Sequence, residues 1–165
     1  MKTKTNKTEN LNRVQTYLSF ELNKDTFAAN VKNVINILEM KEITQVPQSP
    51  DYLKGVINLR GNVLPIVDLR VKFGMPDVEF LRDTCILVLQ INDKDEEIIL
   101  GAIVDSVKEV LEIEEASIEP APSIGTKYHP EFINGMWKID EHFIMILNIE
   151  NVFTSDETLV IKELN

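Results

Sequence analysis

Apolar and polar residues alternate in short runs along most of this chain, and clusters of Gly, Pro, Asn and Asp separate the runs. Tyr17 to Leu22 alternates as a strand, Asn23-Lys24-Asp25 turns it, and Thr26 to Ala29 returns. Cys85 to Ile91 is a nearly continuous apolar strand, Asn92 to Glu97 a polar turn, and Ile98 to Val104 its return. The clearest hairpin lies in Lys54 to Gly74, KGVINLRGNVLPIVDLRVKFG. Val56, Ile57 and Leu59 lead into Arg60-Gly61-Asn62, where Gly61 or Asn62 supplies the positive φ of a short loop, and Val63, Leu64, Ile66, Val67 and Leu69 form the return strand. Pro65 interrupts that strand. With no N–H to give a ladder, it predicts an edge position or a bulge. Val31, Val34, Ile35 and Leu38 fit one helical face, as do Val104, Val107, Val110 and Leu111. Both stretches are rich in β-branched residues, so a single turn running into another strand fits equally. Pro-rich connectors cover 45–51 and 119–130. Thr154-Ser155-Asp156-Glu157 reads as a capping box opening a C-terminal helix over 154–165.

The chain also repeats itself. Phe27 to Glu39 lies over Leu100 to Glu112 at an offset of 73, matching Ala29 with Ala102, Val31 with Val104, Val34 with Val107, Leu38 with Leu111 and Glu39 with Glu112. Gly55 to Leu69 lies over Gly135 to Ile149 at an offset of 80. Each half reads strand, turn, strand, helix-like turn, connector, hairpin. Many short strands with regular punctuation, given twice, predict an all-β chain of two small barrels. Half-barrels of this size bury little alone, so the two are expected to fold as one unit over 14–153.

Composition narrows the function classes. At 165 residues and 44% apolar the chain is globular. It has no apolar run near bilayer length and no apolar segment after its polar start, which predicts a cytoplasmic protein. Of 17 basic and 27 acidic residues, four basic and one acidic fall in the first 13 positions, so a mildly basic, flexible tail precedes a body of net charge −13. Such a body repels nucleic acid and anionic membrane. The single cysteine, Cys85, excludes an internal disulfide, and no Cys or His spacing suits a metal. Cofactors are not expected.

Nor does any set of groups predict turnover. His129 and His142 sit in turn-like segments, and Cys85 has no neighbouring base in sequence to lower its pKa. No phosphate-binding glycine loop and no nucleophile elbow is present. Asp68 and Asp105 lie in strand-like runs, where bonds to turn amides account for them. Binding is the expected role, and a small hydrolase or ligand-binding β-barrel is the alternative from another class.

The run G-V-x-N-L-R-G-x-x-x-P-I-V-D-L-R-x-K-F, present as Gly55 to Phe73, resembles the hallmark of the CheW-like domain family. The similarity continues through Gly101 to Leu111, Pro120-Ala121-Pro122, Gly135 and Ile144 to Glu150. It implies a pair of SH3-like five-stranded β-barrels packed around a shared groove, with short helical turns. It further implies a non-enzymatic chemotaxis adaptor that couples the cytoplasmic tips of chemoreceptors to the regulatory domain of the histidine kinase CheA. Matching positions give a receptor-facing set of Val34, Asn36, Arg60, Gly61 and Val107, with apolar anchors around one forked guanidinium. Core packing is the competing role for Val34 and Val107. Ile43 and Cys85 match kinase-facing positions, with Thr84-Cys85-Ile86 then ending an edge strand. A CheV-type adaptor would add a receiver domain, for which 165 residues leave no room.

Two departures stand out. Where the family has V-x-E-I, this chain has Val34-Ile35-Asn36-Ile37, so a neutral amide replaces the acid that accompanies the motif arginine. After Trp137, Lys138-Ile139-Asp140-Glu141 makes a charged hairpin.

Overall fold

The computed structural model describes residues 13–76, 79–121 and 130–164, so most of the basic tail and His129 lie outside it. The described residues form ten strands, β1 (Val14–Leu22), β2 (Asp25–Asn30), β3 (Val34–Glu39), β4 (Leu53–Leu59), β5 (Asn62–Asp68), β6 (Cys85–Asp93), β7 (Glu96–Val104), β8 (Ser106–Glu114), β9 (Ile133–Ile139) and β10 (His142–Leu147). Two α-helices join them, the single turn α1 (Leu69–Lys72) and the C-terminal α2 (Ser155–Leu164). The strands make two five-stranded sheets, in the orders β8-β1-β2-β10-β9 and β3-β6-β7-β5-β4. These are the two SH3-like barrels of an all-β fold, called here the terminal and the central barrel.

The repeats do not each make a barrel. Each barrel takes a hairpin from one half and three strands from the other: β1-β2 joins β8, β9 and β10, while β6-β7 joins β3, β4 and β5. The exchange is sealed by two parallel pairings across the halves, β2 with β10 and β5 with β7. Neither half closes a sheet by itself, which gives the cooperative unit a topological cause.

Helix or strand was open for Val31 to Leu38 and Val104 to Leu111. One 3₁₀ turn, Val31–Asn33, leads into β3, and β8 is extended from Ser106. The β-branched content prevails because both segments find a partner strand.

Pro65 does not mark an edge, because β5 lies between β7 and β4. The hairpin closes on the pair Leu59 and Asn62, so Val56 and Pro65 face each other at a non-hydrogen-bonded position. Pairing of β5 with β7 begins only at Ile66. The missing N–H therefore interrupts neither ladder.

Three apolar clusters follow from strand alternation. Ile86 and Val88 of β6 point into the central barrel with Ile57, Leu64, Ile66 and Ile103. Leu87, Leu89 and Ile91 of the same strand point instead into a larger cluster shared with Phe20, Phe27, Val152 and Phe153. Both faces of β6 are buried, which explains its unbroken apolar run. Tyr17, Ala28, Ile113, Ile144 and Ile146 fill the terminal barrel.

Helix α2 covers part of the shared core, with Ile161 fully buried. It opens with the capping box: the Thr154 amide donates to Glu157 Oε1 at 2.9 Å and the Glu157 amide donates to Thr154 Oγ1 at 3.2 Å.

Candidate binding surface

The β4-β5 hairpin turns through two residues, Arg60 with φ 53° and Gly61 with φ 85°. Positive φ therefore falls on Arg60 and Gly61, and Asn62 opens the return strand. Asn58 holds the turn by accepting the Gly61 amide at 2.9 Å. A methyl group on Gly61 would meet nothing within 4 Å, so the glycine serves backbone conformation rather than packing. The turn presents Arg60 to solvent, and no hydrogen bond or ion pair engages its guanidinium among the described residues. It stands over an apolar cleft of about 410 Å³ lined by Ile35, Leu59, Leu64, Val88 and Ile99, with Glu97 also exposed there.

The other expected residues divide between two places. Val34, Val107 and Cys85 are half-buried and pack against the shared core. Cys85 and Val107 are neighbours, with the Val107 backbone N–H directed at the Cys85 sulfur. Cys85 opens β6, which lies between β3 and β7, so the expected edge strand there is an inner one. Burial raises its pKa, a nearby Asp83 adds to the rise, and the bond to Val107 opposes it. The thiol is accordingly protonated at neutral pH and a poor nucleophile. Ile43 is half-buried over the central barrel's own cluster, beside Leu38, Met40 and Leu59. Nothing in the packing clusters joins it to Cys85.

A bulge divides β3 between these two places. The register passes from Val34 opposite Leu89 to Asn36 opposite Val88, leaving Ile35 unpaired. Val34 consequently faces the shared core while Ile35 reaches the cleft beneath Arg60. Asn36 is half-buried, and its Oδ1 accepts the Ile37 amide at 2.8 Å. In this structure it is a local backbone partner, with no bond to Arg60.

The residue that sequence reasoning missed is Arg70. It is 1% exposed and its guanidinium lies between the carboxylates of Asp68 and Asp105. Its Nε and Nη2 donate to the two oxygens of Asp68 at 3.4 Å, and its Nη1 lies 3.3 Å from Asp105 Oδ1 in an ion pair whose geometry falls short of a hydrogen bond. The turn amides are there too: Asp68 accepts the Arg70 amide at 2.9 Å and Asp105 accepts the Asn23 amide at 2.7 Å. A charged residue two places after a buried aspartate, within an apolar run, was the available signal. Among the described residues no group of three or more His, Cys, Asp or Glu could hold a metal, and no helix is long and apolar enough to cross a membrane.

Two SH3-like barrels with apolar surface at their seam and an unengaged arginine at a hairpin tip define a protein-binding module. Residues 16–157 match the CheW-like domain, and the chain belongs to that family. The chain is 31% identical to the chemotaxis protein CheW of Klebsiella aerogenes over 147 residues, covering 89% of this chain and 86% of that one. It is 33% identical to the probable chemotaxis protein CheW of Rhizobium etli, covering 86% and 88%. The scaffolding protein TtCheW of Thermoanaerobacter tengcongensis superposes with a TM-score of 0.77 at 30% identity, covering 88% of this chain and 91% of that chain. Family and fold together make this a chemotaxis adaptor of the scaffold type.

Proposed function

We propose that this protein couples chemoreceptors to the histidine kinase CheA in the cytoplasm, without catalysis and without a cofactor. The observation that carries the reading is Arg60. A solvent-facing guanidinium with no partner, set by a glycine turn over apolar surface, suits a partner that brings a carboxylate or carbonyl beside an apolar side chain. Val34, Asn36, Arg60, Gly61 and Val107 form the receptor side. Ile43 and Cys85 form the kinase side, and their half-exposed apolar surface suits a barrel-to-barrel contact.

Binding titrations against a chemoreceptor cytoplasmic fragment and against the kinase regulatory domain test this division. Arg60→Ala is expected to weaken receptor binding about tenfold, close to 1.4 kcal/mol, with kinase binding and melting temperature unchanged. Ile43→Asp is expected to do the reverse, by about 2 kcal/mol or more. Equal loss of both partners from either variant, or turnover by the purified protein that a single substitution abolishes without unfolding it, overturns the reading.

A further inference from the structure

The two barrels carry the same bulge at the same place and line it with opposite chemistry. In the terminal barrel the register passes from Phe20 opposite Val107 to Leu18 opposite Val110, leaving Lys108 as the counterpart of Ile35 and Ser19 as the counterpart of Val88. Thr26, opposite Glu21, corresponds to Ile99, opposite Gln90. There the side chains are engaged in polar bonds. Ser19 Oγ donates to the Glu109 carbonyl at 2.9 Å and accepts the Glu109 amide at 3.0 Å, and Lys108 pairs with Glu21 at 2.5 Å. In the central barrel the equivalent positions are Ile35, Val88 and Ile99, and they leave the cleft beneath Arg60 open, with Ile35 49% and Ile99 37% exposed. The fold does not require apolar residues here, since its sister barrel manages with Lys, Ser and Thr. Leaving Ile35 and Ile99 facing water has a free-energy cost that a partner covering them would recover.

We infer that the mouth of the central barrel, walled by Ile35, Leu64, Val88 and Ile99 and edged by Arg60 and Glu97, is a socket for one bulky apolar side chain of the receptor segment, with a carboxylate of that segment beside it. This rests on the reading that Arg60 faces the receptor, and it adds Ile35 and Ile99 as residues that set receptor choice. The guanidinium of Arg60 at the mouth favours a partner that brings a carboxylate there. The bulge makes β3 bifunctional, with Val34 turned to the seam between barrels and Ile35 turned to the socket, so one receptor segment can engage both.

The test transplants the sister barrel's own residues. Ile35→Lys and Ile99→Thr are each expected to weaken a purified chemoreceptor cytoplasmic fragment about tenfold by titration calorimetry, with kinase-domain binding, sedimentation and melting temperature unchanged. If Arg60→Ala loses affinity while both transplants keep it, the socket is wrong and the receptor reading stands. If all three keep it, the receptor reading falls and the socket with it. Loss of kinase-domain binding, or a change in the sedimentation of the protein alone, assigns the mouth to a different occupant and overturns the inference.

Discussion

The two places where the barrels lock together occupy equivalent positions in the repeat and are built differently. At one, Arg70 follows β5 and reaches Asp68 and Asp105, and Asp105 in turn accepts the amide of Asn23 beyond β1. At the other, Glu150 stands 80 residues later after β10; it accepts the side-chain amide of Asn33 at 3.3 Å and the backbone amide of Asn92 at 2.9 Å. Each lock ties the end of one half's last strand to a crossover and to the first hairpin of the same half, which lies in the other barrel. The first does so with a buried cation between two anions. The second does so with one anion and neutral donors. A buried ion pair is costly to assemble and more costly to break, because removing one member strands the other, whereas a carboxylate held by amides has less to lose. The duplicated fold therefore dictates where a lock stands but leaves its chemistry free.

The glycines that let a connector cross each barrel provide the largest test of that equivalence. A Cβ on Gly55 would lie 2.1 Å from the Thr44 carbonyl oxygen, and the residue already sits at φ 145°. On Gly135 a Cβ would lie 2.7 Å from the Glu119 oxygen and 2.5 Å from Ile118 Cγ2, with no left-handed φ to strain. Gly55→Ala is expected to cost about 4 kcal/mol or more, and Gly135→Ala about 1–3 kcal/mol, by denaturant unfolding. Equal costs would mean that the connectors yield to the same degree and that backbone conformation at Gly55 matters little.

The locks come next. Arg70→Ala leaves the Asp68 carboxylate, 0% exposed, without its cation and is expected to cost about 3–5 kcal/mol. Asp68→Asn with Arg70→Met keeps an acceptor for the turn amide and removes both charges, so it should recover more than half of that loss. Glu150→Gln retains one acceptor oxygen and should cost about 1 kcal/mol. If the double variant is no better than Arg70→Ala, the pair does more than neutralise itself.

Much of this fold was legible because alternation and turn residues are local. The hairpins β1-β2, β4-β5 and β6-β7 and the capping box at Thr154 each rest on residues close together in sequence. The exchange of hairpins between halves was not legible, because β3 pairs with β6 and β1 with β8 across long separations that no local pattern encodes. Pro65 shows the same limit, since its tolerance depends on where the β7 pairing begins. In the site, the turn that carries Arg60 could be read from Asn58, Gly61 and the apolar flanks. The cleft beneath it could not, because Ile35, Val88 and Ile99 come from three strands and meet only after the bulge in β3.

The smallest expected effect concerns helix α2, which has no counterpart among the described residues of the first half. Glu157 fastens it to the body, accepting from Lys72 Nζ at 2.6 and 2.7 Å, while that ammonium also faces the rings of Phe132 at 5.4 Å and of Tyr52 and Phe153 at 5.9 Å. Burial alone would raise the Glu157 pKa; the bonds from Lys72 and the Thr154 amide outweigh it and hold the carboxyl below its ordinary value of 4.5. A depressed carboxyl pKa adds stability at pH values above the unfolded pKa, and that stability disappears as pH falls through the folded one. The pair is partly open to water, so its contribution is about 1 kcal/mol at most and is reduced by salt. Glu157→Gln should therefore be slightly less stable than the parent chain at neutral pH, and the gap should close as pH drops below 4.5. Urea unfolding of both proteins across that range measures it. A gap that stays constant with pH would mean that Glu157 acts as a neutral cap on α2, with Lys72 held by its rings alone.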